Sequence, residues 1–230
     1  MNHADSTPFA EPAQTPQVYT EIVQGTPQWH ELRLGKVTAS RFKSMMTNGR
    51  GKDTMGQTAY SYMYDLIVER LTGQQQDKVD AKSLQWGRDH EPEARAMYCV
   101  LHGVRVQQVA FVLHPAIGGV GGSPDGLIDG EPSGGVEIKC PMNSRIHIGY
   151  LEFGGVPKDY YWQVQGLMWL TGRSWWDFVS YDQRMPERLR LFVHREQADT
   201  DAHEELEERT IRFIEQMEIK LMKISKHKGT

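Results

Sequence analysis

The stretch from Gly118 to Met142, GGVGGSPDGLIDGEPSGGVEIKCPM, constrains this chain more than any other. Val136 to Cys140 (VEIKC) alternates apolar and polar residues, the pattern of a strand. Side chains two apart on a strand share a face. Glu137 and Lys139 therefore point one way, while Val136, Ile138 and Cys140 point into a core. The connection ahead of it is dense in turn-forming residues. A hairpin closing there brings Asp125 alongside Glu137. Two carboxylates and a lysine at one strand end suit a hard divalent cation and a phosphodiester. The plain alternative is an ordinary turn and a solvated strand face, and spacing alone leaves both open. Gly121, Gly122 and Gly126 surround Ser123-Pro124-Asp125, and glycine lets a backbone approach a ligand closely.

The 230 residues suffice for one domain with a sizeable core. No run has the length of a membrane span, and no signal peptide is visible at the N-terminus. Two cysteines, Cys99 and Cys140, make no disulfide framework, which fits a reducing cytoplasm. With neither CxxC nor HExxH, a zinc site is not expected. A net charge of −4 counts against nucleic acid, whose binders are often basic. It is only a sum, however, and a basic lining inside an acidic shell gives the same total.

Residues 1–17, polar with three prolines, read as a loosely attached tail, and 18–230 as a single domain. Thr26 and Pro27 start a helix that Gly35 stops. Thr38 caps a second, with Phe42, Met45 and Met46 on one side. Asn48 to Lys52 is a basic loop. A helix carrying Tyr60, Tyr64, Ile67 and Leu71 ends at Gly73. The next, from Ser83 to Leu101, has the stripe Leu84, Gly87, Glu91, Ala94, Tyr98 and Leu101. Glu91 thus lies on an apolar face, where a lone carboxylate is costly. Either it reaches back to solvent or it meets a cation. Pro92 should kink this helix or mark its start. Val104–Leu113 and Ile117–Val120 read as strands. Lys158–Leu170 reads as an aromatic helix ended by Gly172. Trp175–Tyr181 and Leu189–His194 read as strands, and Asp199–Ile224 as an amphipathic helix. The whole is an α/β domain, a mixed sheet flanked by helices.

The order is a helix with Glu91, a strand end with Ser123-Pro124-Asp125-Gly126, a strand with Glu137-Ile138-Lys139-Cys140-Pro141, and a helix with Gln163-Val164-Gln165. Further stretches are WHELRLGKVTAS at 29–40, Leu84-Gln85-Trp86-Gly87, Asn143-Ser144-Arg145, YYWQVQ at 160–165 and YDQRM at 181–185. Together these resemble the YqaJ-like viral recombinases, phage recombination nucleases of the lambda exonuclease type within the PD-(D/E)XK superfamily. The likeness runs roughly from Trp29 to Tyr181.

The resemblance implies a PD-(D/E)XK core and a Mg²⁺-dependent, processive 5′-to-3′ exonuclease on double-stranded DNA ends. Such an enzyme releases mononucleotides and leaves a 3′ single strand for recombination by strand annealing. It implies a homotrimeric ring, a single-strand annealing protein as partner, and a phage or prophage protein in a bacterial cytoplasm. Two Mg²⁺ ions would be held by Asp125, Glu137, the carbonyl of Ile138 and Glu91. Mn²⁺ would substitute, and Ca²⁺ would inhibit. Lys139 would orient water or neutralise developing charge, with its pKa depressed beside the metals. Gln163 would orient the phosphate or Lys139. Arg33, Ser40, Arg50, Ser123 and Gln163 match positions that bind a 5′-terminal phosphate. Leu84 matches a wedge at the terminal base pair, and Arg145 and Tyr160 are further DNA contacts. An endonuclease on the same core would share these residues, whereas a non-catalytic DNA-binding protein on a decayed core is disfavoured by intact Asp125, Glu137 and Lys139. A small-molecule enzyme is disfavoured, because the glycines at 118–122 match no phosphate loop.

Overall fold

A computed structural model of the chain describes residues 15–51, 54–76 and 81–227. Most of the expected tail and Lys52 of the basic loop lie outside the described residues; Gln17, assigned to the tail, instead opens the first strand.

The elements in order are β1 (Gln17–Tyr19), α1 (Pro27–Arg33), β2 (Val37–Thr38), α2 (Phe42–Met45), α3 (Gln57–Thr72) and α4 (Ala81–His102). Then come β3 (Phe111–Leu113), β4 (Val120–Gly122), β5 (Gly126–Ile128), β6 (Gly134–Lys139), α5 (Ser144–Phe153) and α6 (Tyr161–Thr171). The chain closes with β7 (Trp175–Tyr181), β8 (Leu191–Gln197) and α7 (Thr200–Ser225). One sheet has the order β1-β3-β4-β2 and the other β5-β6-β7-β8. In the second sheet β6 runs parallel to β7 and antiparallel to β5, and β7 is antiparallel to β8. The expected mixed sheet with flanking helices is what forms.

Local chemistry sets the ends. The side chain of Thr26 accepts from the Trp29 N–H and Pro27 opens α1, as the sequence predicts. Asn143 caps α5 and Asp199 caps α7 in the same way. Gly73 and Gly172 end α3 and α6 with φ of 68° and 65°, a left-handed turn that favours glycine. Thr38, expected as a side-chain cap, makes no such bond; its N–H donates to the Tyr62 hydroxyl at 3.0 Å.

The second sheet is buried on both faces. On one, Ala94 and Tyr98 of α4 pack against Val136, Ile138, Val179 and Tyr181. On the other, Trp176 and Phe178 join Phe42, Met45, Met63, Leu167, Met168 and Phe213. Each such side chain contributes about 1.5–3 kcal/mol by leaving water. Glu137 therefore does not face solvent: its strand face lies beneath α6, and it is 1% exposed.

Four expectations change. Pro92 lies inside α4, which runs unbroken. One ladder bond is lost there, and the packing of Ala94 and Tyr98 on the sheet outweighs it. Leu84 and Leu101 of the expected stripe are exposed, at 41% and 65%. In α3 the buried face is Ala59, Tyr62, Met63, Leu66 and Ile67, while Tyr64 and Leu71 are exposed, because apolar residues occur all round this helix. The strand expected over 104–113 is only Phe111–Leu113. Gln107 makes a single bridge to Leu127 before the chain turns to pair with β1.

Candidate active site

The chain passes from one sheet to the other between Gly122 and Gly126, and Ser123-Pro124-Asp125 occupies the junction. Gly126 pairs with Val136, so the hairpin does bring Asp125 beside Glu137. Asp125 Oδ2 accepts the Ile138 N–H at 2.6 Å. The surrounding glycines serve packing inside the protein. A side chain at Gly121 would collide with Phe111, one at Gly122 with Leu167, and one at Gly126 with Val106. Close approach to the core by itself accounts for glycine at these positions.

Glu137 and Lys139 project together from β6 and form an ion pair. Gln163, on the first turn of α6, donates to the same oxygen, Glu137 Oε1, at 2.6 Å. The other oxygen, Oε2, is buried without a hydrogen-bond partner among the described residues. An unsatisfied buried carboxylate oxygen is costly, and a cation removes that cost. Glu91 comes from α4 and pairs with Arg95 one turn on. Of the two alternatives left open by the sequence, Glu91 meets a cation, Arg95, within the chain. The Tyr160 ring lies 4.9 Å from the Lys139 ammonium.

Crowded acids hold their protons tightly. Burial, and next the charge of Asp125, push Glu137 up to about 8. The same two causes, in the same order, push Glu91 up to about 7 against the pull of Arg95 and Lys139. Burial raises Asp125 too, although Lys139 opposes it. Burial would lower Lys139, but Glu137 and Asp125 outweigh it and hold its ammonium above the ordinary lysine range. The depression expected of Lys139 concerns the metal-loaded site; without metal its carboxylate neighbours hold it the other way. Burial, followed by Glu91 and Asp125, lifts the Cys140 thiol to about 12.

Among the described residues, no three His, Cys, Asp or Glu side chains converge closely enough to hold a metal ion by themselves. Mg²⁺ does not require that. It usually keeps several waters and takes one or two carboxylates plus a substrate phosphate. Oxygen donors, carboxyl pKa values raised by one another's charge and the unpaired Glu137 Oε2 fit such an ion.

A second group assembles at the end of α1. Arg33 donates to Ser123 Oγ at 3.0 Å and to Ser40 Oγ at 3.4 Å, and its guanidinium carbon lies 4.3 Å from the Trp29 ring centroid. Three of the five expected phosphate-binding residues thus meet. Gln163 instead contacts Glu137, and no hydrogen bond joins Arg50, on an exposed turn, to the other three. Leu84 and Arg145 are exposed near the starts of α4 and α5. Sequence reasoning missed Arg95, Trp29 and Gln24. Arg95 is four residues after Glu91, a legible helical pairing. The Trp29 indole donates to Ser123 Oγ at 3.0 Å, and Gln24 donates to the Pro124 carbonyl at 2.9 Å. Both fix the junction from about a hundred residues away, and no local pattern announces them.

The family model described as YqaJ-like viral recombinase domain matches residues 28–174. The solved structure of an alkaline exonuclease, LHK-Exo, from Laribacter hongkongensis is 39% identical, covering 87% of this chain and 96% of that one with a TM-score of 0.78. LHK-Exo in complex with dAMP is 38% identical, covering 86% and 96% with a TM-score of 0.79. A phage related exonuclease from Haemophilus somnus 129PT is 17% identical, covers 82% and 96%, and has a TM-score of 0.64, a likeness of fold. No curated protein matches.

Proposed function

We propose, from the premise that the chain belongs to the YqaJ-like viral recombinase family, that it is a Mg²⁺-dependent exonuclease on double-stranded DNA ends. Its fold is of the PD-(D/E)XK exonuclease class. In this reading the chain digests the 5′-ended strand processively, releases mononucleotides and leaves a 3′ single strand for an annealing partner. The observation that carries it is the cluster of half-buried Asp125, buried Glu137 and half-buried Lys139, in which Glu137 Oε2 has no hydrogen-bond partner among the described residues. A relative of 38% identity binds dAMP, a mononucleotide of the product class proposed here.

Asp125, Glu137, the Ile138 carbonyl and Glu91 would hold the metal. Bound Mg²⁺ supplies activation of the attacking water and charge stabilisation at the leaving oxygen. Lys139, kept protonated by its acidic neighbours, places a positive charge where the phosphorane develops negative charge. Gln163 donates to Glu137 Oε1 and so helps to fix the orientation of the carboxylate. Arg33, with Ser40 and Ser123, presents charge-assisted and hydroxyl donors suited to a terminal phosphate.

The test is digestion of linear duplex DNA with Mg²⁺, read beside a covalently closed circle. The linear molecule should shorten from its ends and the circle should stay intact. Nicking of the circle would make the enzyme an endonuclease on the same core. Asp125→Ala should abolish digestion, a loss on the order of a thousandfold or more, while DNA binding in Ca²⁺ persists. A folded Asp125→Ala protein with wild-type digestion would overturn the site.

A further inference from the structure

Two runs of sequence have no role assigned in the site described above: Trp86 to His90, ahead of Glu91, and Asp182 to Arg184, after β7. The structure joins them. Arg184 donates from Nε to Asp182 Oδ1 at 2.8 Å and from Nη2 to Oδ2 at 2.9 Å, a bidentate fork. The same guanidinium donates to the Met142 carbonyl at 3.0 Å and to the Pro141 carbonyl at 3.2 Å. Pro141 and Met142 are the second and third residues after Lys139. The guanidinium carbon also lies 4.7 Å from the centroid of the Trp86 ring. His90 stacks on that ring at 4.0 Å. Its Nδ1 donates to the Trp86 carbonyl at 2.7 Å, which leaves Nε2 to accept from Gln183 at 2.7 Å. The turn after β7 thus grips α4 immediately before Glu91 and grips the chain where it leaves β6.

A guanidinium has five N–H groups. The four side-chain bonds above use four of them, so little is left to hold a phosphate, although the side chain is 39% exposed. Asp182, by contrast, is buried, and it gives Arg184 a fixed seat. Burial alone would raise its carboxyl, but hydrogen bonds from Arg184 and Ser144 prevail and hold it at about 2. The fork is therefore intact across the working pH range.

We propose that Arg184 is a positioning residue: it clamps the Glu91 end of α4 to the exit of the strand bearing Glu137 and Lys139, and so sets the spacing of the carboxylates. This rests on the nuclease reading above. The guanidinium shape matters as much as its charge, since an ammonium cannot make the fork and bridge two carbonyls together.

The experiment compares Arg184→Met and Arg184→Lys with wild type. Turnover and KM are measured on linear duplex DNA, and binding of Ca²⁺ alone by calorimetry without DNA. Both variants should lose about 10- to 100-fold in kcat, the scale of a small misplacement at the reacting atoms. KM for DNA should stay within about threefold, and Ca²⁺ affinity should fall about tenfold. Wild-type kcat in the Met variant overturns the proposal. So does weakened DNA binding that Lys restores, which would make Arg184 a phosphate contact. If Arg184→Met fails to fold, Trp86→Leu removes the ring beneath the guanidinium and leaves its hydrogen bonds. It should lower kcat about tenfold, and an unchanged kcat would overturn the clamp. Should wild type itself leave linear DNA intact, the nuclease reading fails, and the calorimetry still decides: unchanged Ca²⁺ affinity in Arg184→Met refutes the clamp.

Discussion

Replacing Glu91 by Gln should stabilise the metal-free protein at alkaline pH and change little at acid pH. Gln matches the protonated carboxyl in size and keeps an oxygen for Arg95. The wild-type side chain is 30% exposed, and burial together with Asp125 moves its pKa from 4.5 to about 7. The folded value lies above the unfolded one. The stability tied to this group is therefore fully present below pH 4.5 and is lost as pH rises through about 7. At about 1.4 kcal/mol per pH unit between the two values, ionised Glu91 costs roughly 3 kcal/mol at pH 8. Solvent at its exposed edge trims this to ~2 kcal/mol. A domain of this size shifts its Tm by about 2–4 °C per kcal/mol, so the variant should melt ~5 °C higher at pH 8. At pH 5 the gap should shrink below ~1 kcal/mol. The assay is thermal unfolding in EDTA between pH 5 and 8. Adding Mg²⁺ should close the gap, because wild type gains more from binding. Parallel stability curves for the two proteins, or a lower Tm for Glu91→Gln at pH 8, would refute the electrostatic account.

Arg33→Ala should slow digestion of 5′-phosphorylated ends by about tenfold or more while sparing 5′-hydroxyl ends, since a charge-assisted pair contributes about 1.5–3 kcal/mol; equal slowing of both ends would remove Arg33 from the site. Light scattering at micromolar concentration should give three times the 26.3 kDa chain mass, and a monomer would count against a ring. Gly126→Ala should destabilise the protein by about 1–3 kcal/mol in urea, because the added carbon meets Val106. Unchanged stability with lost Ca²⁺ binding would return this glycine to a ligand-facing role.

What the sequence disclosed depends on the range over which a signal acts. Asp125, Glu137 and Lys139 lie within fifteen residues, so strand alternation and turn chemistry suffice to place them together. Glu91 was legible as an anomaly, a carboxylate on an apolar stripe, and its partner Arg95 needed only the helical interval of four. The strand over 104–113 failed for the opposite reason. Its valines favour a strand, but a ladder needs a neighbour, and only Phe111–Leu113 has one over successive residues. Trp29 and Gln24 reach the junction across 94 and 100 residues, where no periodicity applies. Glu137 shows the limit most sharply. From the sequence its strand face could be solvated or a site, and the difference lies wholly in whether α6 covers it. Once covered, the same alternating strand holds a carboxylate that the core cannot satisfy. A chain selected only for stability would remove that cost with a neutral residue. Retaining Glu137 beside Asp125, with Lys139 and Gln163 occupying one of its oxygens, makes sense when the second oxygen has a partner that arrives from outside.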